Sequence, residues 1–95
     1  MNETSGSLEQ RRAELKRLTE RLERFRGSAR EADPEMKIGY GTQVHQLLKK
    51  RDAAQEKLEE LEQAGGKDRE ELRRALDKAL LDLKTALETA ETRFE

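Results

Sequence analysis

Tyr40, Val44, Leu47, Arg51, Ala54, Leu58 and Leu61 follow one another at alternating steps of four and three residues. A β-strand does not produce this spacing, because its side chains alternate between faces with a period of two. An α-helix does: steps of three and four keep a narrow stripe on one side, the pattern of helices that pack along one another. Six of the seven positions are apolar, and the charged one, Arg51, must bring its guanidinium back to water or find an acid. The segment therefore commits the chain to helix-on-helix packing.

A second stripe precedes it. Leu8, Leu15, Leu18, Leu22, Phe25 and Ala29 step by seven, three, four, three and four, a seam with one position missed at Arg11. Ser7 followed by Gln10 reads as a capping box, which starts this helix near residue 8 and leaves residues 1–7 as a disordered tail. Downstream, Leu72, Leu76, Ala79, Leu80, Leu83, Ala86, Leu87, Ala90 and Phe94 form a wider face, as a helix touching two neighbours requires. Asp68 and Glu71 read as its capping box.

The connections fix the topology. Ala64-Gly65-Gly66-Lys67 is short enough to force an antiparallel hairpin. The first junction reads two ways. Asp33-Pro34-Glu35 carries the marks of a helix start: a capping carboxylate, proline in the first turn and an acid beside the helix dipole. Gly39 and Gly41 each cost a helix interior about 1 kcal/mol relative to alanine, which favours Thr42 as the start and residues 33–41 as a helical turn plus connector. The expected fold is all-α: an antiparallel three-helix bundle or coiled-coil hairpin, one domain over 8–95, with helices near 8–30, 34 or 42 to 64, and 68–94.

Composition fits that reading. Apolar residues make up 33% and charged residues 43%, which suits either disorder or long helices with solvated outer faces; the periodicity selects helices. The net charge of −1 supplies no overall field toward nucleic acid or anionic lipid. Locally, residues 8–30 hold eight basic and four acidic residues, against six and eight over 68–95, which favours setting these segments side by side. Cysteine is absent, excluding disulfides and thiolate chemistry. The polar N-terminal stretch shows no signal-peptide pattern and no apolar run is long enough to cross a bilayer, so the expected location is cytoplasmic.

Candidate chemistry is sparse. His45 is the sole histidine, with Lys49 rather than a ligand four residues on, so no metal site is expected. Gly39-Tyr40-Gly41 lacks the spacing and preceding strand of a phosphate-binding loop, and Tyr40 is expected to pack over the bundle end. Glu59, Glu60, Glu62, Glu70 and Glu71 read as solvated faces rather than an acid–base pair, which would need a desolvating cleft. The basic face of the first helix is the sharpest candidate for an interaction surface: Arg11, Arg12, Lys16, Arg17, Arg21 and Arg24, continuing to Arg26 and Arg30.

The chain is thus expected to be non-enzymatic and to need no cofactor or small-molecule substrate. Its expected role is a structural or protein–protein interaction module whose partner is itself, as a homodimer, or another protein. The alternative is an anion-binding accessory role, with the first helix set on nucleic acid or an anionic membrane.

Overall fold

The structure, a computed structural model, describes residues 3–94, with side chains described over 8–94. Three helices account for nearly all of it: α1 (Glu3–Glu31), α2 (Pro34–Gln63) and α3 (Asp68–Arg93). They form an antiparallel bundle of 51 × 20 × 17 Å, a little longer than the roughly 45 Å of its longest helix. Cross-helix contacts give the directions. Arg11 and Arg21 of α1 pair with Asp77 and Glu91 of α3 in rising order, so these helices run parallel. α2 runs the other way: Arg12 meets Glu62 near its end, and Tyr40 near its start meets Phe94.

The stripes read from the sequence face one another. Leu15, Leu18, Leu22 and Phe25 of α1 are buried with Tyr40, Leu47, Ala54, Leu58 and Leu61 of α2 and Leu76, Leu80, Leu83, Leu87 and Ala90 of α3. Leu8, Ala29, Val44, Leu72, Ala79, Ala86 and Phe94 pack half-buried against them. Every buried residue is apolar among the described residues. Truncating a fully buried leucine such as Leu47 or Leu83 to alanine costs about 2–5 kcal/mol, so the seams dominate stability.

The first junction resolves in favour of the proline. α1 continues through Gly27 and Ser28 to Glu31. Asp33 is then extended (φ −59°, ψ 151°), as a residue before proline prefers, and Pro34 opens α2. The Asp33 carbonyl accepts from the Met36 and Lys37 amides at 2.8 and 3.1 Å, while its carboxylate makes no capping bond. The connector expected over 33–41, with Thr42 as the cap, is therefore corrected. Thr42 lies inside α2 and its hydroxyl donates to the Ile38 carbonyl one turn back. The penalty of two glycines is outweighed by the packing of Tyr40 at that end.

Two expected capping boxes are also corrected. α1 already has helical backbone from Glu3, so Ser7 lies within it; of the tail expected over 1–7, residues 1 and 2 fall outside the described residues. Asp68 is the first residue of α3, preceded by Lys67 with no side-chain cap, and Asp68, Glu70 and Glu71 place acid at the positive end of the helix. The α2–α3 turn closes differently: Gly66 takes φ +64°, and Arg69 donates to the Leu61 and Ala64 carbonyls at 3.2 and 3.1 Å, satisfying the open end of α2.

Candidate interaction surface

The basic face of α1 divides into cations that hold the bundle together and cations that do not. Arg11, at the missed seam position, forms a two-pronged pair with Asp77 of α3, both bonds 2.7 Å. Its side chain is only 18% exposed, so the seam continues through its stem while the guanidinium turns to an acid. Arg21 reaches Glu91 of α3 at 2.6 Å, and Arg12 reaches Glu62 of α2 at 2.7 Å. Arg17 and Arg26 pair within α1, with Glu14 and Glu23. Lys16, Arg24 and Arg30 make no ion pair among the described residues; the i,i+4 spacing of Glu20 and Arg24 is not used.

Electrostatics follow the same division. The hydrogen bond that Arg11 donates to Asp77 raises its pKa above arginine's ordinary value, against the opposing effect of burial, and the bond from Arg21 to Glu91 does the same for Arg21. Both guanidiniums are thereby fixed as charged, bonded groups. An extended anion approaching α1 would have to displace carboxylates from five of its eight cations.

The other sequence candidates sit apart from one another. His45 is exposed on the outer face of α2, and no group of three or more His, Cys, Asp or Glu side chains converges among the described residues. Glu59 accepts from Gln55, Glu60 from Lys57 and Glu62 from Arg12, while Glu70 binds Arg73. Each acid thus lies on an exposed helix face with a partner of its own, and Glu71 is exposed. Tyr40 is buried at the bundle end, its ring 4.2 Å from that of Phe94 and 5.2 Å from that of Phe25.

Two recesses are relevant. At the α2–α3 turn, a cavity of about 210 Å³ is lined by Leu8, Arg11, Leu61, Gly66, Arg69, Glu70 and Arg73. Its three guanidiniums are all engaged, by Asp77, by main-chain carbonyls and by Glu70. Between α1 and α2 lies an open groove of about 400 Å³ with a floor of Ala29, Gly41 and Val44 and a rim of Arg26, Arg30 and Lys37. Sequence reasoning missed this groove because it took residues 33–41 as a connector. Lys37, Gly41 and Val44 nevertheless follow at i, i+4 and i+7 once the helix begins at Pro34.

Among the described residues no helix is long and apolar enough to cross a membrane. The fold and surface define a small antiparallel three-helix bundle with an apolar core and densely charged outer faces. The chain matches no family model, no curated protein and no solved structure.

Proposed function

We propose that the chain is a non-enzymatic helical module that works by binding protein, including a second copy of itself. The observation that carries this reading is the division of the molecule, among the described residues, into a core of buried apolar side chains with no buried charge and outer faces of charged side chains. Catalysis draws on polar groups held in a desolvated cleft, whereas a long charged surface suits recognition of another surface. Because the narrow seams of α1 and α2 close on α3, self-association uses the outer faces rather than an unfilled core.

The anion-binding alternative is weaker because five cations of α1 are already committed to carboxylates. Sedimentation velocity of the purified chain from micromolar to millimolar concentration tests the proposal. A concentration-dependent shift toward dimer supports self-association; a monomer throughout removes it. Retention by duplex DNA or by anionic liposomes at physiological salt would favour the alternative.

A further inference from the structure

Charge is distributed along α2 against the preference of the helix itself. Over residues 34–51 the ionised side chains are Glu35, Lys37, Lys49, Lys50 and Arg51; over 52–63 they are Asp52, Glu56, Lys57, Glu59, Glu60 and Glu62. The helix dipole favours acids at the start and bases at the end, so this arrangement gains nothing within α2. The neighbouring helices absorb only part of it. Glu62 is held by Arg12, whereas Lys37, Lys49 and Glu56 make no ion pair among the described residues. Lys49, Glu56, Glu59 and Glu60 are all exposed.

The outer face of α2 contains a second feature that the fold leaves unused. Ile38 is 81% exposed, the most exposed large apolar side chain described. One turn along, a β-carbon at Gly41 would meet nothing within 4 Å, so nothing inside the bundle requires a glycine there. Bare backbone on an exposed face allows another helix to approach closely.

We infer that α2 is a self-association surface, on which two copies lie antiparallel about a two-fold axis near residues 50 and 51. This rests on the self-binding reading above and adds the face and the register. A two-fold axis at that point sets each basic half against the acidic half of the second copy. Lys49 then lies opposite Asp52 of the second copy and one turn from its Glu56, and Lys37 lies at the end of its acidic half, about one turn beyond Glu60. The interface is isologous and closes at two chains. Like-charged halves would meet in a parallel arrangement, which the same side chains disfavour.

Magnitude sets the expected affinity. A strip along one helix of about 45 Å buries less than the roughly 1,200–2,000 Å² of a standard stable interface. The dimer is therefore weak and sensitive to salt. An acidic helix from another protein would use only the basic half of α2, and an anionic membrane would also meet Glu31, Asp33 and Glu35 beside Lys37.

A charge-exchange experiment on the full chain tests the inference. Sedimentation equilibrium is measured for the wild type, for K37E/K49E, for E56K/E59K/E60K and for an equimolar mixture of the two variants. Each variant alone should dimerise at least about tenfold more weakly than the wild type, and the mixture should recover a dimer. Circular dichroism checks folding, and K37Q/K49Q and E56Q/E59Q/E60Q replace any variant that fails to fold, with weakening expected from each. A dimer indifferent to both sets overturns the register and leaves self-association standing. A monomeric wild type overturns both, and failure of the mixture to recover overturns the two-fold pairing.

Discussion

The hydroxyl of Tyr40 donates to the main-chain carbonyl of Phe94 at 3.2 Å while the two rings stack with centroids 4.2 Å apart. One side chain thereby ties the first turns of α2 to the last turn of α3, and Phe25 of α1 completes the cluster from the third side. All the aromatic residues of the chain meet at this end. The hydrogen bond and the ring separate by substitution. Tyr40→Phe should cost about 0.5–1.5 kcal/mol, the net worth of one hydrogen bond. Tyr40→Ala should cost about 3–5 kcal/mol, because the stacking and the burial are lost together. Urea denaturation checks both, and equal losses would mean that the ring packing contributes little.

Gly39 and Gly41 lie in the same helix yet should respond differently to alanine. A β-carbon at Gly39 would come within 3.3 Å of the Phe94 ring, closer than ordinary contact, so the ring must move by a few tenths of an ångström. At Gly41 the space is open. Gly41→Ala should therefore realise most of the helix-propensity gain of about 1 kcal/mol, and Gly39→Ala should forfeit it in strain. Thermal melts of the two variants should differ by several degrees for a domain of this size. Equal stabilisation would show that Phe94 yields freely.

These glycines also mark where the sequence was misleading. Heptad spacing fixed the three helices and their apolar faces, because each seam residue reports its own orientation through local periodicity alone. The start of α2 was not legible from local penalties, since the glycine cost is offset by Tyr40 packing on Phe94, 54 residues away. Arg11 appeared as a gap in its seam for the same reason: its partner Asp77 lies 66 residues along the chain. The capping boxes failed because their spacing is met inside or at the edge of helices whose backbone is set elsewhere. The α1–α2 groove became visible only when Gly41 and Val44 were placed on the same helix as Lys37.

The Arg11–Asp77 pair should contribute measurably and the Arg12–Glu62 pair hardly at all. Both carry 2.7 Å bonds, but Arg11 is two-pronged and largely covered, whereas Arg12 is about half exposed. A double-mutant cycle with Arg11→Ala and Asp77→Ala should give a coupling of about 0.5–1 kcal/mol, reduced by salt. The corresponding cycle for Arg12 and Glu62 should give roughly 0–0.5 kcal/mol. The raised pKa of Arg11 adds no pH dependence in the accessible range. A folded-state value raised above the unfolded one leaves the contribution whole below the unfolded value. It is lost only as pH climbs through arginine's range. Coupling of equal size in both cycles would remove burial as the distinction.

His45 provides a control, because no ligand cluster converges around it among the described residues. It is exposed on α2, so His45→Ala should change stability by no more than about 0.5 kcal/mol, as other surface substitutions do. The melting temperature should likewise be unaffected by EDTA. A large effect in either measurement would point to a site assembled between chains.

Arg51 is the most informative single position, because it occupies the phase of the α2 seam yet carries a charge. It is half-buried between the turns of Leu47 and Ala54, and its guanidinium donates to Asp52 at 2.9 Å rather than to any acid of α3. The stem covers the seam while the head returns to solvent beside the next residue. Leucine at this position would keep the stem's burial, remove the need to hold the head at the surface, and lose only an exposed ion pair of small value. Arg51→Leu should therefore raise stability by about 1 kcal/mol. Arg51 is level with the axis inferred for the α2 contact but lies on the inward, seam side of the helix, so the substitution leaves the outer face unchanged. Sedimentation of the variant should consequently match the wild type. If stability stays unchanged, the stem of Arg51 already supplies all the burial that the seam offers, and a change in assembly would show that its side chain reaches the outer face.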